Sequence, residues 1–152
     1  MTELTLQHNA DRDLAPLARL LEAPEDLALV NPQAGHPFDP GEWRMKWLQE
    51  ADDESFYLLD DQGRHVGFFA LRVGVGPEVR HLTYVFVEER MRGGTGEALA
   101  RLAEEAARGL GALSITLKVE LDNGAALKLY RKAGYEELSR RGGMATMRRD
   151  LA

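Results

Sequence analysis

Read for the spacing of its apolar positions, the chain opens with a short strand, LTLQHN at 4–9. A helix follows over DRDLAPLARLLEA at 11–23, where Leu14, Leu17 or Ala18, and Leu21 share one face. Residues 24–41 hold four of the six prolines, so they cannot form one regular element and are expected to be a structured, irregular stretch. A second helix is expected around GEWRMKWLQEA, with Trp43 and Trp47 one helical turn apart. SFYLLD and HVGFFALRVG, separated by DQGR, predict an antiparallel hairpin, and RHLTYVFV at 80–87 a third strand. GTGEALARLAEEAARGLG then presents Leu99, Leu102, Ala106 and Leu110 as a helical stripe, and LSITLKVEL reads as a strand. In NGAALKLYRKAGY at 123–135, Ala126, Leu129, Tyr130 and Ala133 recur on one helical face, with Asn123 able to cap the start and Gly134 able to end it. Strand and helix alternate in this half, which argues for parallel pairing through crossovers. YEELSRRGGMATMRRDL closes as a hairpin turning at Gly142-Gly143.

Composition narrows the chemistry. The 152 residues, 44% apolar and 29% charged, suit one globular domain, and no apolar run reaches the roughly 18 residues of a membrane span. The first residues, MTELTLQHNADRD, lack the basic start and apolar centre of a signal peptide, so a cytoplasmic location without membrane association is expected. Cysteine is absent, which removes disulfides and any acyl-cysteine intermediate. The histidines, His8, His36, His65 and His81, have no ligand spacing, so no metal is expected. With 19 basic against 25 acidic residues, the net charge of −6 argues against nucleic acid and favours a cationic or neutral substrate.

In VEERMRGGTGEAL at 87–99 a strand runs through glycines 93, 94 and 96 directly into a helix. Unpaired N–H groups and the positive end of the helix dipole at such a junction can cradle a phosphate, though the same pattern also serves as a plain strand-to-helix turn. Neither the G-x-x-x-x-G-K-[ST] loop nor the third glycine of the dinucleotide fingerprint is present, so nucleotide hydrolysis and hydride transfer lose support.

Together the loop and the 123–135 segment resemble the GNAT superfamily of N-acetyltransferases. The family's Q/R-x-x-G-x-G/A loop corresponds to M-R-G-G-T-G at 91–96. Its N-x-x-A-x-x-L-Y-x-x-x-G-F segment corresponds to Asn123, Ala126, Leu129, Tyr130, Gly134 and Tyr135. The resemblance covers about half the chain well, from residue 80 onward. Met91 stands where the family usually has Gln or Arg, and Glu88 where it often has Pro. Arg90 and Arg92 flank the gap and could supply the missing charge.

The resemblance implies a mixed α/β fold: a central, largely antiparallel sheet of six to seven strands flanked by about four helices. It implies one acetyltransferase domain over 1–152, with a variable acceptor-side half at 1–79 and an acetyl-CoA-binding half at 80–152. The implied activity is direct transfer of an acetyl group from acetyl-CoA, as cosubstrate and without a metal, to a primary amine. A small-molecule amine is favoured over a protein N-terminus or lysine, and a non-catalytic acyl-CoA sensor is the third reading. By resemblance, backbone N–H groups at Phe86 and Val87 face the thioester and pantetheine arm, and Met91, Arg92, Gly93, Gly94, Thr95 and Gly96 hold the pyrophosphate. Asn123 contacts CoA or simply caps its helix, and Tyr130 protonates the departing thiolate or is a core tyrosine. Glu78 and His81 are the candidates for the base, against an exposed strand-edge Glu and a packed His. Asn31, His36, Phe38 and Trp43 are the candidates for acceptor binding, with Trp43 equally a core residue. Glu25 and Asp26 could attract an ammonium group. A homodimer is left open.

Overall fold

A computed structural model gives the structure, describing residues 3–74, 76, 78–92 and 95–151. Seven strands form one sheet: β1 (Thr5–His8), β2 (Glu54–Leu59), β3 (His65–Val73), β4 (Val79–Val87), β5 (Ser114–Glu120), β6 (Glu136–Arg141) and β7 (Met144–Asp150). They lie in the order β1-β2-β3-β4-β5-β7-β6. The β4–β5 pair is parallel, whereas β1–β2, β5–β7 and β6–β7 are antiparallel. The α-helices are α1 (Ala15–Leu20), α2 (Pro24–Val30), α3 (Pro40–Glu42), α4 (Gly96–Gly109) and α5 (Gly124–Lys132). The expected mixed sheet is present, with five α-helices among the described residues where about four were anticipated.

Three elements depart from the sequence reading. The first helix begins at Ala15, because Asn9 pins the preceding turn by accepting from the Asp13 N–H and donating to the Asp13 carbonyl. Inside the proline-rich stretch, α2 forms because Pro24 sits in the first turn, where its missing N–H is harmless, with Glu25 and Asp26 beside the positive end of the dipole. The tryptophan helix is α-helical only over α3 and continues as a π-helix at Trp43–Trp47, where the Leu48 N–H reaches back to the Trp43 carbonyl at 2.7 Å.

The chain packs as two compact units, one built from residues up to Ala70 with Tyr84–Met91, the other from Leu71–Thr83 and the residues from Arg92 onward. In the first, Leu14, Leu17, Leu21, Leu27 and Trp43 pack against Tyr57, Phe68, Ala70 and Phe86. Each fully buried side chain of this size contributes about 1.5–3 kcal/mol. The Tyr57 hydroxyl donates to the Asp13 carbonyl at 2.6 Å and accepts from the Leu17 N–H at 3.3 Å, and burial pushes its pKa up to about 12.

In the second unit β7 inserts between β5 and β6, pairing with β5 from Ser114↔Asp150 to Glu120↔Met144. Helix α4 buries Leu99, Leu102 and Ala106 as expected, together with Ala100, Ala103, Ala107 and Glu104. On α5 the innermost residue is Leu127, outside the expected stripe, while Ala126, Leu129, Tyr130 and Ala133 are half-buried. The buried face is wider than a four-residue stripe and its centre is displaced toward Leu127.

The end of α5 is fixed from a distance. Gly134 takes φ +102°, which disfavours any side chain, and a Cβ there would lie 3.4 Å from the Arg149 guanidinium. Arg149 Nη1 donates to the Ala133 carbonyl and pairs with the buried Glu104 carboxylate at 2.5 Å. The Tyr135 N–H donates to the Tyr130 carbonyl at 2.9 Å.

Candidate functional site

Within β4, Tyr84 has φ +53°, an uncommon conformation for an aromatic residue, and the strand ends in the buried Phe86 and Val87. The Phe86 carbonyl lies against Gly67 of β3, where a Cβ would come within 2.8 Å of it. Beyond β4, the Glu88 N–H donates to the Val66 carbonyl at 2.8 Å, and a 3₁₀ turn at Glu89–Met91 follows. Met91 is buried. Arg90 turns toward the β2–β3 hairpin, with Nη2 3.3 Å from Asp60 Oδ2 and Nε 3.4 Å from Glu88 Oε2. Arg90, named with Arg92 as a source of the loop's missing charge, pairs here with two carboxylates while half of its side chain stays exposed.

Gly93 and Gly94 lie outside the described residues, and Arg92 is exposed. Helix α4 starts at Gly96 with no capping side-chain hydrogen bond from Thr95, so its first N–H groups point along the axis toward the loop. A Cβ on Gly96 would stand 2.9 Å from Leu129 Cδ2 of α5, which makes this a point of close approach between the two helices. Nearby, Lys132 Nζ pairs with Glu97 Oε1 at 2.8 Å, raising the lysine pKa and lowering that of the carboxyl. A cavity of about 260 Å³ runs between α4 and α5, walled by Arg101, Glu104, Leu129 and Lys132 among others.

Asn123 Oδ1 accepts from the Ala126 N–H at 3.1 Å, so the residue caps α5 while its amide NH₂ faces solvent. Tyr130 is half-buried, its ring meeting Tyr135 edge-on at 5.3 Å. Burial raises its pKa, so it keeps its proton at neutral pH, and among the described residues its hydroxyl makes no hydrogen bond. Among the described residues the buried Tyr135 hydroxyl has no hydrogen-bond partner, and burial with the nearby Glu104 charge raises its pKa further.

The candidate bases sit at the start of β4. Glu78 is exposed, and its carbonyl accepts from the Leu113 and Ser114 N–H groups at 2.7 and 3.2 Å. His81 is half-buried, with Nδ1 2.9 Å from Thr116 Oγ1. Burial, reinforced by the charges of Lys118 and Arg72, lowers its pKa and leaves the ring neutral at pH 7.

On the acceptor side, Trp43 is fully buried. Its ring stacks on Phe38 at 5.2 Å and meets Tyr84 edge-on at 5.1 Å. Asn31 is also buried, accepting from the Gln33 N–H at 3.3 Å, and among the described residues its Nδ2 has no partner. His36 is exposed, with Nε2 3.5 Å from the Glu22 carbonyl. A cavity of about 570 Å³ opens in the same unit, walled by Arg19, Asp26, Arg64, His65, Phe86 and Glu88 among others. None of Asn31, His36, Phe38 or Trp43 lines it. Of its charged residues Asp26 and Glu88 stood out in the sequence, though Glu88 only as a departure from the family loop; Arg64 reaches the cavity through the hairpin, which no local pattern announces. Among the described residues no helix is long and apolar enough to cross a membrane, and no three His, Cys, Asp or Glu side chains gather as a metal site.

A mixed seven-stranded sheet, with the start of α4 packed closely against the tyrosine-bearing α5, defines an α/β protein. The chain belongs to the GNAT family of acetyltransferases, whose model, described as "Acetyltransferase (GNAT) family", matches residues 21–135. It is 33% identical over 101 residues to Uncharacterized N-acetyltransferase MJ1207 of Methanocaldococcus jannaschii, a match covering 62% of this chain and 45% of that protein. The chain thus spans less than half of that curated relative. Two solved structures share the fold at low identity. Spermidine N-acetyltransferase from Vibrio cholerae in complex with CoA and spermine has TM-score 0.76 and 18% identity, covering 98% of this chain and 96% of that one. A dodecameric structure of spermidine N-acetyltransferase from the same organism, in an intermediate state, has TM-score 0.72 and 17% identity, covering 98% and 94%.

Proposed function

We propose that the chain is an acetyl-CoA-dependent N-acetyltransferase acting on a primary amine of a small molecule. In this reading it is one cytoplasmic domain over 1–152, with the amine taken mainly by 1–79 and acetyl-CoA by 80–152. The observation that carries it is the start of α4. A residue without a Cβ stands where the helix meets Leu129, at a strand-to-helix junction rich in glycine, so the residues present suit a pyrophosphate at the positive end of the α4 dipole. Arg92, Thr95 and Gly96, with Gly93 and Gly94, would hold it, and the buried Met91 would support the loop from behind.

When bound, acetyl-CoA supplies an acetyl thioester. The backbone of Phe86 and Val87 orients that group, and Asn123 offers its amide NH₂ to the CoA arm. Tyr130 would hold a proton on its hydroxyl for the departing sulfur, since burial keeps the phenol protonated at neutral pH. His81, neutral at pH 7, is the favoured acceptor of the amine proton, with Glu78 the alternative.

The 570 Å³ cavity supports a small acceptor over a peptide, since it lies in the usual range for small-molecule sites, and Asp26 and Glu88 in its wall suit an ammonium group. Trp43 and Phe38 back this region through the core cluster that contains Phe86, and Asn31 and His36 remain acceptor-side candidates outside the cavity's lining. The spermidine enzyme among the structural neighbours keeps polyamines among the candidates, and the dodecameric neighbour makes self-association part of the reading. The test is CoA release measured across polyamines, amino acids, aminoglycosides and peptides. Turnover with a small amine and none with peptides is expected; peptide acetylation alone would overturn the small-molecule assignment, and tight CoA binding without turnover would favour a sensor.

A further inference from the structure

The carboxylate of Asp60 has more to do than close a hairpin. Its side chain is only 2% exposed at the end of β2. Oδ1 accepts from the Gln62 and Arg64 N–H groups, each at 2.9 Å, which is the local turn that Asp often makes. Oδ2 points elsewhere, to Arg64 Nε at 3.5 Å and Arg90 Nη2 at 3.3 Å. The same guanidinium reaches Glu88 Oε2 through Nε at 3.4 Å. Glu88 is also held by its backbone, donating to the Val66 carbonyl and accepting from the Met91 N–H, both at 2.8 Å.

Glu88 thus follows Phe86 and Val87 directly, and the turn it opens ends at Met91, where the phosphate loop begins. A proline at 88 would have no N–H for Val66; here a hydrogen bond and a carboxylate–guanidinium–carboxylate chain do the holding. In this arrangement Arg90 serves the residues on which the loop is mounted.

We propose that Asp60 and Arg90 are positioning residues for acetyl-CoA, latching the β2–β3 turn to the Glu88–Met91 turn and so fixing the β4 exit and the last residue before the loop. This rests on the reading that residues 91–96 hold the pyrophosphate of acetyl-CoA.

The two oxygens of Asp60 make the idea separable from folding. Asp60→Asn keeps Oδ1 for the hairpin amides but places an NH₂ where Arg90 needs an acceptor. Arg90→Met removes the bridge, and Arg90→Lys keeps the charge but loses the planar fork that spans both carboxylates. The dissociation constant of CoA is measured by calorimetry, alongside the melting temperature of the ligand-free protein and both Michaelis constants. Asp60→Asn and Arg90→Met should weaken CoA binding on the order of tenfold or more, as expected when a site is displaced by a fraction of an ångström. Arg90→Lys should recover part of the loss, the double variant should be no worse than the worse single one, and the Michaelis constant for acetyl-CoA should rise with the dissociation constant. If wild-type protein binds CoA and both variants bind it equally well, the latch is refuted. A fall in melting temperature with unchanged affinity of the folded fraction also refutes it. If the wild type does not bind CoA, the loop assignment itself fails and takes this inference with it.

Discussion

Removing one oxygen atom tests the role given to Tyr130. Tyr130→Phe keeps the ring and its edge contact with Tyr135, and the hydroxyl it deletes has no hydrogen-bond partner among the described residues. No buried donor or acceptor is orphaned by the change, so the stability effect should fall within about 0.5 kcal/mol, or roughly 2 °C in melting temperature for a domain of this size. The kinetic effect should be far larger. Loss of a general acid slows turnover by about a hundredfold or more, some 2.7 kcal/mol of barrier, while CoA affinity stays near wild type. The assay follows thiol release at saturating acetyl-CoA and amine, with melting temperature recorded on the same preparation. A second arm substitutes an acetyl thioester of a more acidic thiol, whose leaving group needs less help; the gap between variant and wild type should narrow. A Phe variant that acetylates at the wild-type rate would end the acid assignment. Parallel losses of rate, CoA affinity and stability would instead make Tyr130 a packing residue.

Two further outcomes are expected. Gly96→Val forces a branched side chain against Leu129 at the start of α4, which overpacking should destabilise by about 1–3 kcal/mol while the protein stays folded. Acetyl-CoA at a hundredfold excess over its dissociation constant should stabilise wild type by about 2.7 kcal/mol, and the variant should lose this melting shift; retention of wild-type affinity would move the pyrophosphate elsewhere. For His81, a pKa lowered in the folded state means that protonation opposes folding. Its contribution is fully present above the ordinary value of about 6.5 and is lost as pH falls through the lowered folded value. Melting temperature should therefore fall more steeply between about pH 7 and pH 5 in wild type than in His81→Gln, and coincident profiles would show that the ring is not held neutral by folding.

The second half of the chain was legible because its signals are local. Asn123 caps, Gly134 stops, Gly142 and Gly143 turn with φ +58° and +76°, and each depends on a few neighbouring residues. What stayed hidden depends on partners far along the chain. Arg149 is needed to explain why α5 ends as it does, and nothing in the spacing of MATMRRD links it to Ala133 or Glu104. The buried centre of α5 at Leu127 follows from how the second unit packs, which a four-residue stripe cannot report. In the first half, the π-helical turn at Trp43–Trp47 arises from one register shift in an otherwise helical pattern. The residues lining the cavity come from helices, a hairpin turn and a strand exit, so Asp26, Phe86 and Glu88 were each named beforehand for separate reasons, but nothing in the sequence joined them in one cavity.

The placement of β7 has a consequence for how the chain is made. It is synthesised after β6 yet lies between β5 and β6, so the second unit has no completed sheet until Asp150 has been added. Until then β5, with Ile115, Leu117 and Val119, presents an unpaired edge, and α5 lacks the arginine that clasps its end. A chain in which β7 has not yet docked would therefore expose a sticky strand, so the pairing of Met144–Asp150 with β5 is the step that protects the second unit from edge-to-edge misassembly.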